Sequence, residues 1–278
     1  MTFGDSFVPT AGEVGILPMV TYFCLAFAGY AFLGNLLFSL ATQSSVAPEH
    51  RISRVYGGII AAVAGVSYFL ITHFYHEMLH GLSELHSPEE RAALLRRSYQ
   101  AIGQYRYIDW AITTPLLLLK TASMLRISTR EAGKAIILLL LADFFMVLTG
   151  YIGEQQLTPT GEIMASQKLL WGAISTVGYL VVPVILYSLY KRYAARCNAH
   201  ERWGYRFLAF TTVTTWGIYP LGYMLTLTSL NLNYIHLTFS LGDVFNKVGV
   251  SVVAYLVGKR ILDERLDEQK VLDGHNVG

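Results

Sequence analysis

Charge is scarce in this chain. Only 14% of its 278 residues are Asp, Glu, Lys or Arg, where a soluble domain has about a quarter. Hydrophobic residues make up 53% and mean hydropathy is +0.42. That balance excludes an ordinary water-soluble domain and indicates an integral membrane protein with the lipid bilayer as its partner. Cysteine is nearly absent: Cys24 falls in an apolar segment and Cys197 in a basic loop, so no disulfide is expected. Met1 to Pro18 has no basic n-region and does not read as a signal peptide. No repeat, low-complexity stretch or soluble terminal domain is read. The net charge of +2 says little by itself, and no nucleic-acid partner is expected.

What the chain has is long apolar runs. Seven segments, roughly 15–42, 55–80, 104–125, 132–152, 164–191, 206–229 and 233–258, approach the length a bilayer helix needs. The expectation is an all-α membrane protein, a single seven-helix domain over 1–278. Arg51 and Arg54 lie in the first loop, Arg126, Arg130 and Lys134 in the third, and Lys191, Arg192, Arg196, Arg202 and Arg206 in the fifth. The fourth and sixth loops have no Lys or Arg. By the positive-inside rule the odd loops and the C-terminus are cytoplasmic and the N-terminus is outside. In the second loop, Ser87-Pro88-Glu89-Glu90 opens a stretch to Gln100 that reads as a short amphipathic surface helix.

The last segment carries Ser240-Leu-Gly-Asp243-Val-Phe-Asn-Lys247. Asp243 and Lys247 share a helical face. An ion pair within a membrane-length segment is expensive and usually functional. A desolvated lysine also suits a carbonyl Schiff base. The bland alternative is a structural salt bridge. Segment three reads Arg106-Tyr-Ile-Asp109-Trp110-Ala-Ile-Thr113-Thr114-Pro115, with Lys120 beyond. Arg106, Asp109, Thr113 and Lys120 fall on one face, and Asp109 to Lys120 spans about 16 Å. That spacing suits a proton path.

These runs, with Trp216-Gly-Ile-Tyr219-Pro220 in segment six, resemble the microbial (type 1) rhodopsins. The likeness covers essentially the whole chain and lies with the bacterial proteorhodopsin- and xanthorhodopsin-like proton pumps. It implies a seven-helix bundle with all-trans retinal in its core, held as a protonated Schiff base by Lys247. It makes Asp109 the proton acceptor and counterion, Asp243 the second counterion, and Arg106 the arginine on the exit side. Thr113 would hydrogen-bond the acceptor. Trp110, Trp216, Tyr219 and Pro220 would sandwich the chromophore. Asp143, Met146 and Gly150 would form the pocket wall, with Ser175 and Gly172 in segment five and Leu117 as the colour-tuning site, leucine going with green absorption.

Some positions depart from the common pattern. Lys120 stands where most outward pumps have a carboxyl donor, and resembles the Exiguobacterium-rhodopsin-like group, in which a lysine eases reprotonation. The alternative is a lysine that snorkels to the interface. Residues 226–238 contain no acid, so the carboxyl pair that releases protons in archaeal pumps has no counterpart, which speaks against early release. His73 is the choice for the histidine that proteorhodopsin-like pumps pair with the acceptor, with His76 as the alternative. His73, His76 and His80 share a face, but one helix face seldom closes a metal site, and no metal is expected. Gly172 would open a carotenoid window, as in xanthorhodopsin-like proteins, or serve close helix packing. The resemblance thus implies a light-driven outward proton pump in a bacterial inner membrane, as a trimer or pentamer. It is a transporter rather than an enzyme. A photosensor is the alternative. A channel lacks its row of glutamates in segment two.

Overall fold

The computed structural model describes residues 7–127 and 130–275. Residues 1–6 of the N-terminal stretch, 128–129, and 276–278 at the end of the tail lie outside the described residues. The helices are α1 Ala11–Val14, α2 Ile16–Ala41, α3 Arg51–Glu84, α4 Pro88–Ser123, α5 Gly133–Glu154, α6 Ala165–Tyr193, α7 Ala199–Thr214, α8 Ile218–Leu225, α9 Leu232–Val244 and α10 Val250–His275. A 3₁₀ turn, Thr215–Gly217, joins α7 to α8, and a π-helical turn, Phe245–Gly249, joins α9 to α10. The long helices therefore form seven rods among the described residues, one for each expected segment. Apart from an isolated bridge between Leu157 and Ile163, the described residues contain no strand pairing.

The protein is an all-α membrane bundle. Five of the rods are long and apolar enough to cross a bilayer by themselves. The other two, α4 and α7–α8, depart from that pattern for physical reasons. Charged residues interrupt α4. In the α7–α8 rod, Pro220 cannot donate to the carbonyl one turn earlier, and the helix tightens at Trp216. The surface helix expected after Ser87 is not separate. It is the start of α4, capped by Ser87 Oγ and begun by Pro88, and nothing breaks the helix before Arg106.

The rods pack as a ring. Each of α2 to α7 lies against the next, α7 lies against α10, and α9 closes on α2. Large apolar side chains such as Phe23, Phe69, Leu141, Val184 and Phe210 point outward, as a lipid-facing surface requires. Small residues permit close approach inside: a Cβ on Gly178 would lie 2.7 Å from the Ala142 carbonyl oxygen.

Buried ion pairs tie the rods at both ends. Lys168 on α6 meets Glu154 on α5 at 2.9 Å, both enclosed, beneath the Tyr223 ring. At the opposite end, the enclosed Glu201 of α7 pairs with Arg126, in the loop after α4, at 3.1 Å and lies 3.1 Å from His50, just before α3. Arg265 beyond the bundle grips Glu49.

Removing one partner of an enclosed pair strands the other charge. Lys168→Met is expected to destabilise the protein by about 3–5 kcal/mol, read from unfolding in detergent. Glu154→Leu on top of it should recover most of the loss, and a double variant as unstable as the single one would contradict this account.

Candidate functional site

Lys247 sits in the middle of the π-helical turn, a distortion common at functional sites. Its side chain is 2% exposed, and its amine forms a close ion pair with Asp109 Oδ2 on α4. Asp243 Oδ1, one turn back on α9, is 3.6 Å away. Both carboxylates are enclosed.

The two aspartates are not equivalent. Asp243 accepts from the Tyr68 hydroxyl at 2.8 Å, Tyr219 at 2.7 Å and Trp110 Nε1 at 3.2 Å. Arg106 lies 3.5 Å from its Oδ2 and also donates to Tyr68 at 2.9 Å and Ser240 Oγ at 3.3 Å. Asp109 has the lysine on one oxygen, and its Oδ1 has no hydrogen-bond partner. A proton arriving at Asp243 must displace a donor. One arriving at Asp109 meets an open oxygen.

A cavity of about 510 Å³ runs from Lys247 between α4, α5, α6, α8 and α9. Trp110, Trp216, Tyr219 and Pro220 line it, as do Leu117, Met146, Gly150, Gly172 and Ser175. Its volume is within the range for a small-molecule site. A mostly apolar cavity lined by the enclosed Lys247 amine and the Asp243 carboxylate, with Asp109 paired to that amine, fits retinal. Asp143 lies behind the wall, where its Oδ2 accepts from Thr114 at 2.9 Å.

Other expected residues fall differently. Thr113 is buried, but its hydroxyl donates to the main-chain carbonyl of Asp109 at 2.9 Å, not to the carboxylate. His73 is exposed on the outer face of α3 and stacks edge-on with Phe74. His76 lies 3.4 Å from His80. The partner of Asp109 is Lys247, and the structure brings neither histidine to it. On α3 the residue that enters the site is Tyr68.

Lys120 is fully buried, so it does not snorkel. Its amine lies 3.0 Å from where a Gly57 Cβ would stand, with Ser251 Oγ at 2.7 Å and Ser39 Oγ at 3.3 Å from the same point. None of these three polar atoms has a hydrogen-bond partner. At Gly172, a Cβ would meet the Tyr223 ring at 2.8 Å. The glycine makes room for that tyrosine, which is the packing alternative, and a carotenoid ring there would have to displace it.

The family described as bacteriorhodopsin-like protein matches residues 18–259. The green-light absorbing proteorhodopsin of Gamma-proteobacterium EBAC31A08 is 29% identical over 241 residues, 82% of each chain. The bacteriorhodopsin of Halobacterium salinarum is 32% identical over 152 residues, 53% of this chain and 54% of that one. In fold, the crystal structure of Exiguobacterium sibiricum rhodopsin superposes with a TM-score of 0.75 at 24% identity, covering 90% of this chain and 99% of that one. Xanthorhodopsin, described as a light-driven ion pump with dual chromophore, gives 0.72 at 22% identity, covering 90% and 96%. With an enclosed lysine paired to two aspartates beside an apolar cavity, the chain belongs to the bacteriorhodopsin-like family and is a bacterial type 1 rhodopsin.

Proposed function

We propose that the protein is a light-driven outward proton pump of a bacterial inner membrane, a transporter rather than an enzyme, working as a trimer or pentamer. The observation that carries this reading is the inequality of the two aspartates around Lys247: Asp243 is saturated by three donors, and Asp109 keeps an open oxygen. Retinal bound covalently to Lys247 supplies light absorption and a change of shape. The chain's own residues do the rest. Lys247 gives its proton to Asp109, and Trp110, Trp216 and Tyr219 exclude water and hold the slot in shape. Arg106, anchored on Tyr68 and Ser240, lies on the exit side. Lys120, enclosed about 16 Å along α4 from Asp109, passes the returning proton inward. A buried lysine changes its charge readily, so it serves where a carboxyl is the commoner donor.

Cells expressing the protein with all-trans retinal are expected to acidify an unbuffered suspension on illumination, and a protonophore should abolish the change. Asp109→Asn should remove it. Alkalinisation would mean inward transport and overturn the reading. A coloured protein that moves no protons would overturn it in favour of a photosensor.

Lys120→Ala should slow the return of the proton to the Lys247 nitrogen by roughly a hundredfold, the scale of a positioned acid–base group. The late absorbance transient after a flash measures it. An unchanged transient would remove Lys120 from the path.

A further inference from the structure

Residues 226–238 contain no acid, but they do contain a buried histidine. His236 on α9 is 3% exposed and lines the same cavity as Arg106, at the end away from Lys120. His236, Ser240, Asp243 and Lys247 stand at i, i+4, i+7 and i+11, one face of the rod. Arg106 donates to Ser240 Oγ at 3.3 Å, and Ser240 Oγ donates to the main-chain carbonyl of His236 at 2.7 Å, so these bonds reach the backbone of His236, and the ring meets Arg106 across the shared cavity. The imidazole lies between the rings of Tyr75 and Tyr99, at 5.8 and 5.1 Å, and its Nδ1 is enclosed without a hydrogen-bond partner. Farther along the face, Asn233 accepts from the Tyr75 hydroxyl at 2.6 Å, and its own amide nitrogen has no partner. A line of polar groups therefore continues from the lysine site toward the start of α9.

We propose that His236 is the proton-releasing group on the exit side, which deepens the pumping reading and rests on it. An imidazole accepts at one ring nitrogen and donates from the other, so one residue can do what elsewhere takes a pair of carboxyls. A proton leaving the Arg106–Asp243 cluster binds the neutral ring. The imidazolium then gives a proton to water at the outer surface and returns to the neutral form, so one proton enters the ring and one leaves. Arg106 lines the same cavity, and its like charge pushes the proton outward rather than back. The other ionisable groups facing the ring are the Tyr75 and Tyr99 phenols. Glu154, which also lines the cavity, is already committed to Lys168 at 2.9 Å.

The test uses the full-length, retinal-bound protein in lipid vesicles, with a pH-indicating dye in the medium and single flashes. The wild type is expected to release its proton before it takes one up. In His236→Phe, release should slow by roughly tenfold or more and follow uptake. His236→Gln, which can hydrogen-bond but not titrate, should behave as His236→Phe, whereas a purely structural role would leave it like the wild type. Uptake before release in the wild type overturns the proposal, and so does an unchanged order in both His236 variants. A reversed order in Glu154→Gln but not in His236→Phe overturns it in favour of Glu154. A wild type that gives no dye signal overturns the pumping reading, and this proposal with it.

Discussion

An amine buried between two carboxylates is the constraint on which this structure turns. One lysine and two aspartates, all nearly excluded from solvent, are tolerable only when every charge has a partner. The bundle supplies those partners from several rods at once. Tyr68 comes from α3, Arg106 and Trp110 from α4, Tyr219 from α8 and Ser240 from α9. Three donors converge on Asp243, and Arg106 pairs with it while donating to Tyr68 and Ser240, so the site is tied down on that side. Asp109 has only the lysine. The two carboxylates therefore differ in how many protein groups donate to them.

The two halves of the bundle solve different problems. On the side of Arg106, Tyr68, Ser240 and Asp243 are bonded to it, and His236 lines the same cavity beyond them. On the side of Lys120, Asn35, Ser39, Lys120 and Ser251 are enclosed with unpartnered polar atoms. Arg54, bonded to the Phe38 and Ser251 carbonyls and to Thr42, closes that half off.

Much of this was legible in the sequence. The seven apolar runs gave the rods, and the charged residues of segment three and the last segment gave the core of the site, because a membrane charge is rarely idle. Helical arithmetic also explains the main misplacement. Gly57, Ala61, Ala64, Tyr68, Ile71 and Tyr75 mark the inward face of α3. His73 lies five residues beyond Tyr68, well off that face, and it is exposed. The small residues of that stripe were the available signal, and Tyr68 was its polar member. Thr113 went astray for a local reason: a threonine hydroxyl in a helix readily bonds the carbonyl four residues earlier. The π-helical turn at Lys247 and the plug of Tyr223 over Gly172 left no local signature, since both depend on which rods meet.

In the proposed function Asp109, not Asp243, takes the proton from Lys247. Light-induced infrared difference spectra test this through the carbonyl stretch that only a protonated carboxyl shows. A band that shifts in Asp109→Glu and is absent in Asp109→Asn is expected. A band that ignores Asp109 and shifts in Asp243→Glu would contradict it.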